Sequence, residues 1–310
     1  MSGADRSGPA GGSLVLGIFG PTASGKSAIA EAIGERIPAE LISADSAQVY
    51  CGLPILTNQP RRATRLVAIW ALEHEASVGE YQRLAHAEID RTLAAARTPV
   101  AFGGTGLYFR AALAELELPP PPEPGARERW ARIYDRVGAE RAHALLTEHD
   151  PRAAEAVHAN DRRRVIRALE LAEVGASLAP RHDRLWATAT RHPTLLFGLD
   201  VPEAVLKERI EERTRAMLDS GAADEARAAF AGPLSATAAK IIGLREAAEL
   251  PRQEAIEAIA LRTRRYAAYQ RKWMRRIPGL IRLDGNRPPE DVADELLEMA
   301  GAGQRLPARG

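Results

Sequence analysis

The segment GPTASGKS at residues 20–27 constrains the fold of this chain more than any other part of the sequence. It follows an apolar run at residues 14–19 and precedes AIAEAIGERI, whose apolar residues recur at helical spacing. A strand, a glycine-rich turn and a helix in this order point backbone amides and the positive end of the helix dipole at an anion. The segment therefore predicts that the chain binds a diphosphate or a polyphosphate.

Individual residues of this turn have distinct expected roles. Gly20 and Gly25 permit the tight turn, Lys26 supplies a positive charge for the terminal phosphate, and the Ser27 hydroxyl can hold Mg²⁺. A chance glycine-rich turn is the alternative. We predict a site for a donor diphosphate or a nucleotide, with Mg²⁺ as its cofactor, formed by Gly20, Pro21, Thr22, Ala23, Ser24, Gly25, Lys26 and Ser27.

Composition limits the other functions that the chain can have. The net charge of the 310 residues is +1, so a nucleic-acid site must be a local basic patch. A single cysteine, Cys51, excludes an internal disulfide and a multi-cysteine zinc site. No apolar run approaches the roughly 18 residues of a membrane span, and the N-terminus lacks the pattern of an export signal. We expect a cytoplasmic monomer without a membrane partner.

Short apolar runs that alternate with helical stretches predict an α/β fold. We expect a P-loop NTPase-like parallel sheet with helices on both faces. Ligands of such sheets bind at the carboxyl ends of the strands, where the loops GPTASGKS, ADSAQVY and GGTGLYF would meet. The predicted strands are residues 14–19, 40–44, 99–102, 194–199 and 280–283.

Four consecutive prolines at residues 119–122 interrupt this alternation, because proline continues neither a helix nor a central strand. The sequence that follows is helical and charged up to about residue 188, where strand-like sequence soon resumes. We predict a helical insertion domain at 119–188 within an α/β domain. That α/β domain comprises residues 14–118 and 189–300, with a disordered tail at 1–13 and a flexible tail at 301–310.

Two polar residues at predicted strand ends are candidates for catalysis. Asp45 ends the second apolar run, where a carboxylate can ligate Mg²⁺, accept a proton from a nucleophile, or cap the following turn. Thr105 follows two glycines at the end of the third run and can orient Asp45 or the nucleophile. A plain strand-to-helix turn is the alternative for Thr105. Ser46 and Gln48 lie beside Asp45 and can hydrogen-bond a substrate.

Arginines concentrate in two segments of the chain. NDRRRVIRALEL at 160–171 places Arg163 and Arg167 on one helix face with Arg164 beside them, which suits a phosphate backbone. RTRRYAAYQRKWMRR at 262–276 interleaves basic and aromatic side chains at helical spacing. The second segment is either a solvated helix face over packed aromatics or an electrostatic track for RNA.

A further pair of arginines, Arg209 and Arg213, lies four residues apart on one predicted helix face. Either one can reach a diphosphate from the side opposite Lys26, or pair with neighbouring glutamates. The seven histidines show no metal-binding spacing.

Taken in order, PTASGKS, ELISADSAQVY, GGTGLYFRAAL and NDRRRVIRALEL resemble the tRNA dimethylallyltransferase (tRNA isopentenyltransferase) family in its bacterial-type short form. The resemblance extends from residue 14 to residue 284. It implies a P-loop α/β domain with a helical insertion that contacts tRNA. It also implies transfer of a dimethylallyl group from dimethylallyl diphosphate to N6 of an adenosine. That adenosine lies just 3′ of the anticodon in tRNAs reading codons that begin with U.

The resemblance also implies roles for individual residues. Asp45 would be the general base and Thr105 its positioning partner, while Arg213 would contact the donor diphosphate held by the turn, with Mg²⁺ at Ser27. The anticodon stem-loop of tRNA would contact Asp45, Ser46, Ala47, Gln48, Thr105, Arg127, Arg163, Arg164, Val165, Ile166 and Arg167.

The chain departs from the family pattern at several places that avoid the turn, Asp45 and Thr105. These are RLVAIWAL at 65–72, Gln59 for a lysine, Leu244 for a tyrosine, and AAYQ at 267–270. Two other functions stay open: a P-loop small-molecule kinase with Asp45 as base, and a nucleotide-gated RNA-binding protein without chemistry of its own.

Overall fold

The computed structural model describes residues 14–120, 123–179 and 184–304. The predicted tail at 1–13, two of the four prolines and residues 305–310 lie outside the described residues. The chain divides into two compact units, one formed by residues up to Glu115 and from Leu185 onward, the other by Leu116–Arg184.

A five-stranded parallel sheet forms the centre of the first unit, with strand order β2-β3-β1-β4-β5. The strand at its middle, β1, leads directly into the GPTASGKS turn. Each strand coincides with a predicted one within two residues at either end, which confirms the predicted α/β class. The strands are β1 Val15–Phe19, β2 Ala39–Ser43, β3 Thr98–Gly103, β4 Thr194–Asp200 and β5 Leu280–Asp284.

Helices connect these strands and also form the second unit. In the first unit they are α1 Lys26–Arg36, α2 Val78–Ala94, α3 Gly106–Leu113, α8 Glu203–Asp219, α9 Ala222–Phe230, α10 Leu244–Glu249, α11 Arg252–Arg276 and α12 Pro289–Gln304. In the second unit they are α4 Ala126–Val137, α5 Ala139–His149, α6 Pro151–Ala156 and α7 Arg162–Glu173. Helix α12 therefore continues four residues into the segment 301–310, which we had predicted to be a tail.

Side chains of the central strand alternate between two helical layers. Leu16 and Ile18 belong to one core cluster with Ile29 of α1 and Leu296 of α12. Phe19 points to the other face, where its ring lies 5.2 Å from that of Phe109 in α3. Helices therefore cover both faces of the sheet, as predicted, and leave its carboxyl edge to the loops.

Local sequence determines where several helices begin. The Ser77 hydroxyl accepts a hydrogen bond from the Glu80 amide at 3.1 Å, so the start of α2 carries a side-chain cap. In the second unit, Asp161 caps α7 by accepting a hydrogen bond from the Arg164 amide at 3.1 Å. In the described part of the chain, no helix is both long and apolar enough to cross a membrane.

Candidate active site

The phosphate cradle, defined here as residues 20–27, lies at the carboxyl end of β1 and runs into α1. Gly25 has a φ of 87° and immediately precedes the helix, a left-handed conformation that glycine adopts without strain. Ala23 also has a positive φ, 62°, which is unusual for a residue with a Cβ. The turn therefore has a specific backbone conformation with two residues of positive φ.

Lys26 lies within this cradle, and its Nζ donates a hydrogen bond to the Pro21 carbonyl at 2.7 Å. Burial lowers the pKa of Lys26 to about 8; the Asp45 carboxylate opposes this change and the Arg213 guanidinium adds to it. An anion in the cradle would supply the charge compensation that Lys26 lacks. The cradle is therefore poised for a negatively charged ligand.

Two serine hydroxyls complete the cradle. Ser24 is fully buried, and its Oγ has no hydrogen-bond partner among the described residues. An unpaired buried hydroxyl is costly, so it indicates a partner that the protein itself does not supply. Ser27 is half-buried in the first turn of α1. Both hydroxyls suit phosphate oxygens, and Ser27 also suits a hard cation bound to them.

Arg213 reaches the cradle from α8, where its Nη2 donates a hydrogen bond to the Thr22 hydroxyl at 2.7 Å. Burial lowers the pKa of Arg213, and the Asp45 charge opposes that change. Arg209, four residues earlier, instead donates to Asn286 Oδ1 at 2.9 Å. Of the two arginines that the sequence left open, the structure brings Arg213 to the cradle.

Asp45 follows β2 and is half-buried, and its Oδ1 accepts a hydrogen bond from the Ala47 amide at 2.9 Å. One carboxylate oxygen therefore closes a local turn, as the capping interpretation required. The charge of Asp45 partly opposes the lowering of the pKa of Lys26 and of Arg213 by burial. The sheet geometry brings the Asp45 loop and the cradle to one edge: the Ala44 amide donates a hydrogen bond to the Phe102 carbonyl at 2.8 Å, and the Gly20 amide donates to the Gly103 carbonyl at 3.4 Å. The two loops therefore lie on either side of the end of β3 and border one crevice.

Thr105 lies at the start of α3 and connects the end of β3 to the Asp45 loop. Its Oγ1 accepts a hydrogen bond from the Ser46 amide at 3.2 Å and lies 3.3 Å from the Ser46 hydroxyl. It also lies 3.2 Å from the hydroxyl of Tyr266 in α11. The structure therefore brings the two predicted catalytic residues together through Ser46.

Sequence reasoning assigned no site role to two residues of α11, Tyr266 and Gln270. Burial raises the pKa of Tyr266, the Asp45 charge raises it further, and hydrogen bonds to Thr105 and Gln270 oppose the rise. Gln270 hydrogen-bonds to the cradle and to the β3–α3 loop. The signal in the sequence that could have identified them is their spacing: they lie four residues apart on one helix face, with a polar side chain at a buried position.

Gln48, a predicted tRNA contact, has a different environment from its neighbours. It is 8% exposed, and its side chain bonds to the Ser43 hydroxyl and to the Asn58 carbonyl, each at 2.8 Å. Its amide is thus consumed in holding the Asp45 loop. Gln48 therefore supports the Asp45 loop, and its direct contact with tRNA stays a prediction.

In the second unit, the predicted RNA contacts on α7 separate into buried and exposed side chains. Val165 and Ile166 are 0% and 5% exposed and belong to the core cluster of this unit. Their side chains support the helix by packing, and a contact of this segment with tRNA stays a prediction. Arg163 and Arg164 are exposed, and within the described ranges neither has an ion-pair partner.

The two remaining predicted RNA contacts of this unit share one carboxylate. Glu170 is 1% exposed, and it accepts hydrogen bonds from Arg127 Nε at 3.0 Å and from Arg167 Nη1 at 2.9 Å. A buried carboxylate needs such partners. Arg127 and Arg167 therefore stabilise the unit as well as contributing positive charge to it.

The basic, aromatic sequence of α11 allowed two interpretations, a solvated face over packed aromatics or a track for RNA, and the helix has features of both. Tyr266 faces the crevice, whereas Tyr269 is 54% exposed. Arg265, Tyr269 and Lys272 follow one another at helical spacing on the exposed side. We call these three residues the α11 stripe. It has the charge and the aromatic surface of a nucleic-acid contact.

The parallel sheet, whose central strand leads through a glycine-rich phosphate cradle into a helix, defines a P-loop-type α/β protein. Comparison with known proteins specifies this class. The model of the IPP transferase family matches residues 48–277. The chain belongs to this family, whose curated members are named tRNA dimethylallyltransferases.

Individual relatives resemble the chain over nearly its full length. The tRNA dimethylallyltransferase of Corynebacterium jeikeium is 35% identical over 91% of this chain and 95% of its own length. That of Anaeromyxobacter dehalogenans is 39% identical over 89% and 93%. The crystal structure of the tRNA isopentenylpyrophosphate transferase of Bacillus halodurans aligns with a TM-score of 0.66 at 28% identity, over 94% of this chain and 96% of the other.

A eukaryotic dimethylallyltransferase acting on tRNA, also known from crystal structures, shares the fold. It aligns with a TM-score of 0.74 at 21% identity, over 96% of this chain and 81% of that one.

Proposed function

We propose that the protein transfers a dimethylallyl group from dimethylallyl diphosphate to N6 of the adenosine immediately 3′ of the anticodon, in tRNAs reading codons that begin with U. One observation carries the proposal: the Asp45 loop and the phosphate cradle lie on either side of the end of β3, so the Asp45 carboxylate and the diphosphate site border one crevice. The names of the relatives support the same reaction.

The proposed reaction is a displacement at the allylic carbon. The bond between that carbon and the diphosphate oxygen breaks, and its electron pair leaves with the diphosphate. The amides of the cradle, Lys26 and Arg213 stabilise the negative charge that develops there. The Ser27 hydroxyl and the donor phosphates would hold Mg²⁺, which supplies further neutralisation of the diphosphate when bound.

The acceptor half of the reaction uses the other side of the crevice. The adenine must leave its stack before N6 can approach the allylic carbon. As the nitrogen–carbon bond forms, the free Asp45 oxygen accepts a proton from N6, which contributes roughly 10²–10⁴-fold to the rate. The contacts of Thr105 with Ser46 hold the Asp45 loop in place for this transfer.

Binding of tRNA needs a basic surface, which the neutral chain provides locally. Arg163 and Arg164 are exposed and have no ion-pair partner among the residues that the structure describes, so their side chains suit the phosphate backbone of the anticodon stem-loop. The α11 stripe offers a second contact of the same chemistry on the first unit. Counterion release from such contacts makes the affinity depend on salt.

The small-molecule kinase alternative has no support among the relatives named above, which are tRNA dimethylallyltransferases. One assay distinguishes the two functions. The protein is incubated with radiolabelled dimethylallyl diphosphate, Mg²⁺ and unmodified tRNA, and label is measured in the RNA. A tRNA with guanosine in place of the target adenosine serves as the control. Consumption of ATP with a small acceptor, without labelled RNA, would refute the proposal.

A further inference from the structure

Gln270 connects the phosphate cradle to the β3–α3 loop, which we define as Gly104 and Thr105. Its side chain is 2% exposed. The Oε1 atom accepts a hydrogen bond from the Thr22 amide at 2.7 Å, and Nε2 donates to the Gly104 carbonyl at 2.9 Å. A single buried amide therefore holds the donor side and the acceptor side of the crevice together.

The connection continues to the Asp45 loop. Thr105 follows Gly104 directly in the chain, and its Oγ1 also lies 3.2 Å from the hydroxyl of Tyr266, one turn before Gln270 on α11. Thr105 in turn accepts a hydrogen bond from the Ser46 amide. The network thus runs without interruption from the cradle to the residue next to the proposed base, and Gln270 is its junction.

Close packing leaves Gln270 little room to move. A Cβ atom added to Gly104 would lie 2.1 Å from Gln270 Nε2. The glycine therefore permits the amide to approach the backbone, and any larger residue would separate α11 from the loop. Because both hydrogen-bonding atoms of the side chain contact backbone groups, the network constrains the paths of the loops themselves.

We propose that Gln270 is a positioning residue for prenyl transfer, which sets the distance between the donor diphosphate and the Asp45–Thr105 side of the crevice. The inference rests on the proposed function. A displacement at carbon requires the nucleophile and the leaving group to be aligned, and a misplacement of about 1 Å can reduce the rate roughly 10²-fold. Gln270 acts through the two loops that it joins.

Two substitutions test this role. Gln270→Leu removes every hydrogen bond of the side chain at similar volume. We expect its kcat to fall about 30- to 100-fold, because alignment is lost. KM for dimethylallyl diphosphate and for tRNA should change less than threefold, since the groups that bind each substrate remain. The substrate pair and the assay are those of the labelling experiment, with all 310 residues of the chain.

Gln270→Glu provides a signature that a purely structural role would not produce. The introduced acid keeps an acceptor for the Thr22 amide, but its ionised form has no donor for the Gly104 carbonyl. Burial raises the pKa of such an acid, and its protonated form regains a donor. We expect kcat of this variant, relative to the unmodified protein, to recover as the pH falls from about 8 to about 6.

A stability control completes the test. Val292→Ala truncates a fully buried residue of α12, in the core cluster on the α1 face of the sheet, and should lower Tm without changing kcat of the folded protein. The proposal is overturned if Gln270→Leu keeps kcat within threefold of the unmodified protein, or if Gln270→Glu shows no such recovery. A failure of the unmodified protein to label tRNA would instead refute the proposed function.

Discussion

Arg213 donates a hydrogen bond to the Thr22 hydroxyl at 2.7 Å, and this contact joins helix α8 to the phosphate cradle. Burial beside the cradle lowers the pKa of the Arg213 guanidinium. A negatively charged ligand in the cradle would therefore stabilise its charged form. Arg209 lies one turn earlier on the same helix and bonds to Asn286 instead. The two residues therefore form a matched pair for testing the diphosphate site.

Replacing Arg213 by alanine should weaken catalysis with dimethylallyl diphosphate. We expect kcat/KM for the donor to fall roughly 10²-fold, because the lost contact stabilises charge in the transition state. Steady-state kinetics with varied donor measure the effect. Arg209→Ala removes the same charge one turn away and should change kcat/KM less than threefold. Equal losses in the two variants would assign the effect to general electrostatics.

Replacing Asp45 by alanine should abolish transfer and leave recognition of tRNA intact. Loss of the proton acceptor should lower kcat by about 10²–10⁴-fold. The dissociation constant for tRNA, measured by filter binding, should stay within a few-fold, since the exposed arginines remain. A large loss of tRNA affinity would make Asp45 a recognition residue instead of a base.

The affinity of the cradle for diphosphate should depend on pH through Lys26, whose pKa is lowered to about 8. Below this pH the free protein holds the lysine charged, and above it the lysine is neutral. A bound anion raises the pKa of Lys26, so binding at higher pH requires proton uptake. The dissociation constant for inorganic diphosphate should therefore rise up to about tenfold per pH unit above pH 8.

Isothermal titration across pH 7 to pH 10 measures this dependence, with the ionisation of diphosphate itself subtracted. Lys26→Met serves as the control, because it has no charge to lose. We expect weak binding without the added pH dependence in that variant. The same slope in both proteins would show that another group titrates.

Replacing Arg163 and Arg164 by alanine should weaken tRNA binding and reduce its salt dependence. If each arginine neutralises one phosphate, the slope of log affinity against log salt should fall by about one per residue. Arg141→Ala with Arg152→Ala removes equal charge from exposed positions on α5 and α6. An unchanged slope in the α7 variant, or an equal change in the control, would contradict a specific contact.

Gly103→Ala should destabilise the first unit, because an added Cβ would lie 2.1 Å from the Ala44 carbonyl oxygen. That neighbour is backbone of the strand end before Asp45, and overpacking of this kind costs about 1–3 kcal/mol or more. Thermal unfolding measures the change. Gly79→Ala is the control: nothing lies within 4 Å of the added atom in α2, and its effect should be neutral or stabilising. Equal effects would refute the steric argument.

Much of the fold could be predicted because its signals are local. Each strand is an apolar run bounded by turn residues, and the cradle is a contiguous segment whose glycines and lysine determine its conformation. The same holds for Asp45 and Thr105, since parallel strands bring their carboxyl ends to one edge. These residues could be placed near the cradle without coordinates.

The remaining features depend on contacts between residues far apart in the chain. Gln270 lies 248 positions from Thr22, and no local pattern specifies that the two hydrogen-bond. Arg209 and Arg213 share one helix face, so only the packing of α8 decides which of them meets the cradle. Burial of Gln48, Val165 and Ile166 likewise follows from the packing of whole units.

The sequence by itself therefore determined the strands, the cradle and the acid beside it, because each of these is encoded by a short contiguous segment. Only the tertiary structure decided which side chains complete the site. Hydrogen-bond partners and solvent exposure are properties of the packed chain, and helix α11 meets the cradle through contacts that its own sequence does not encode.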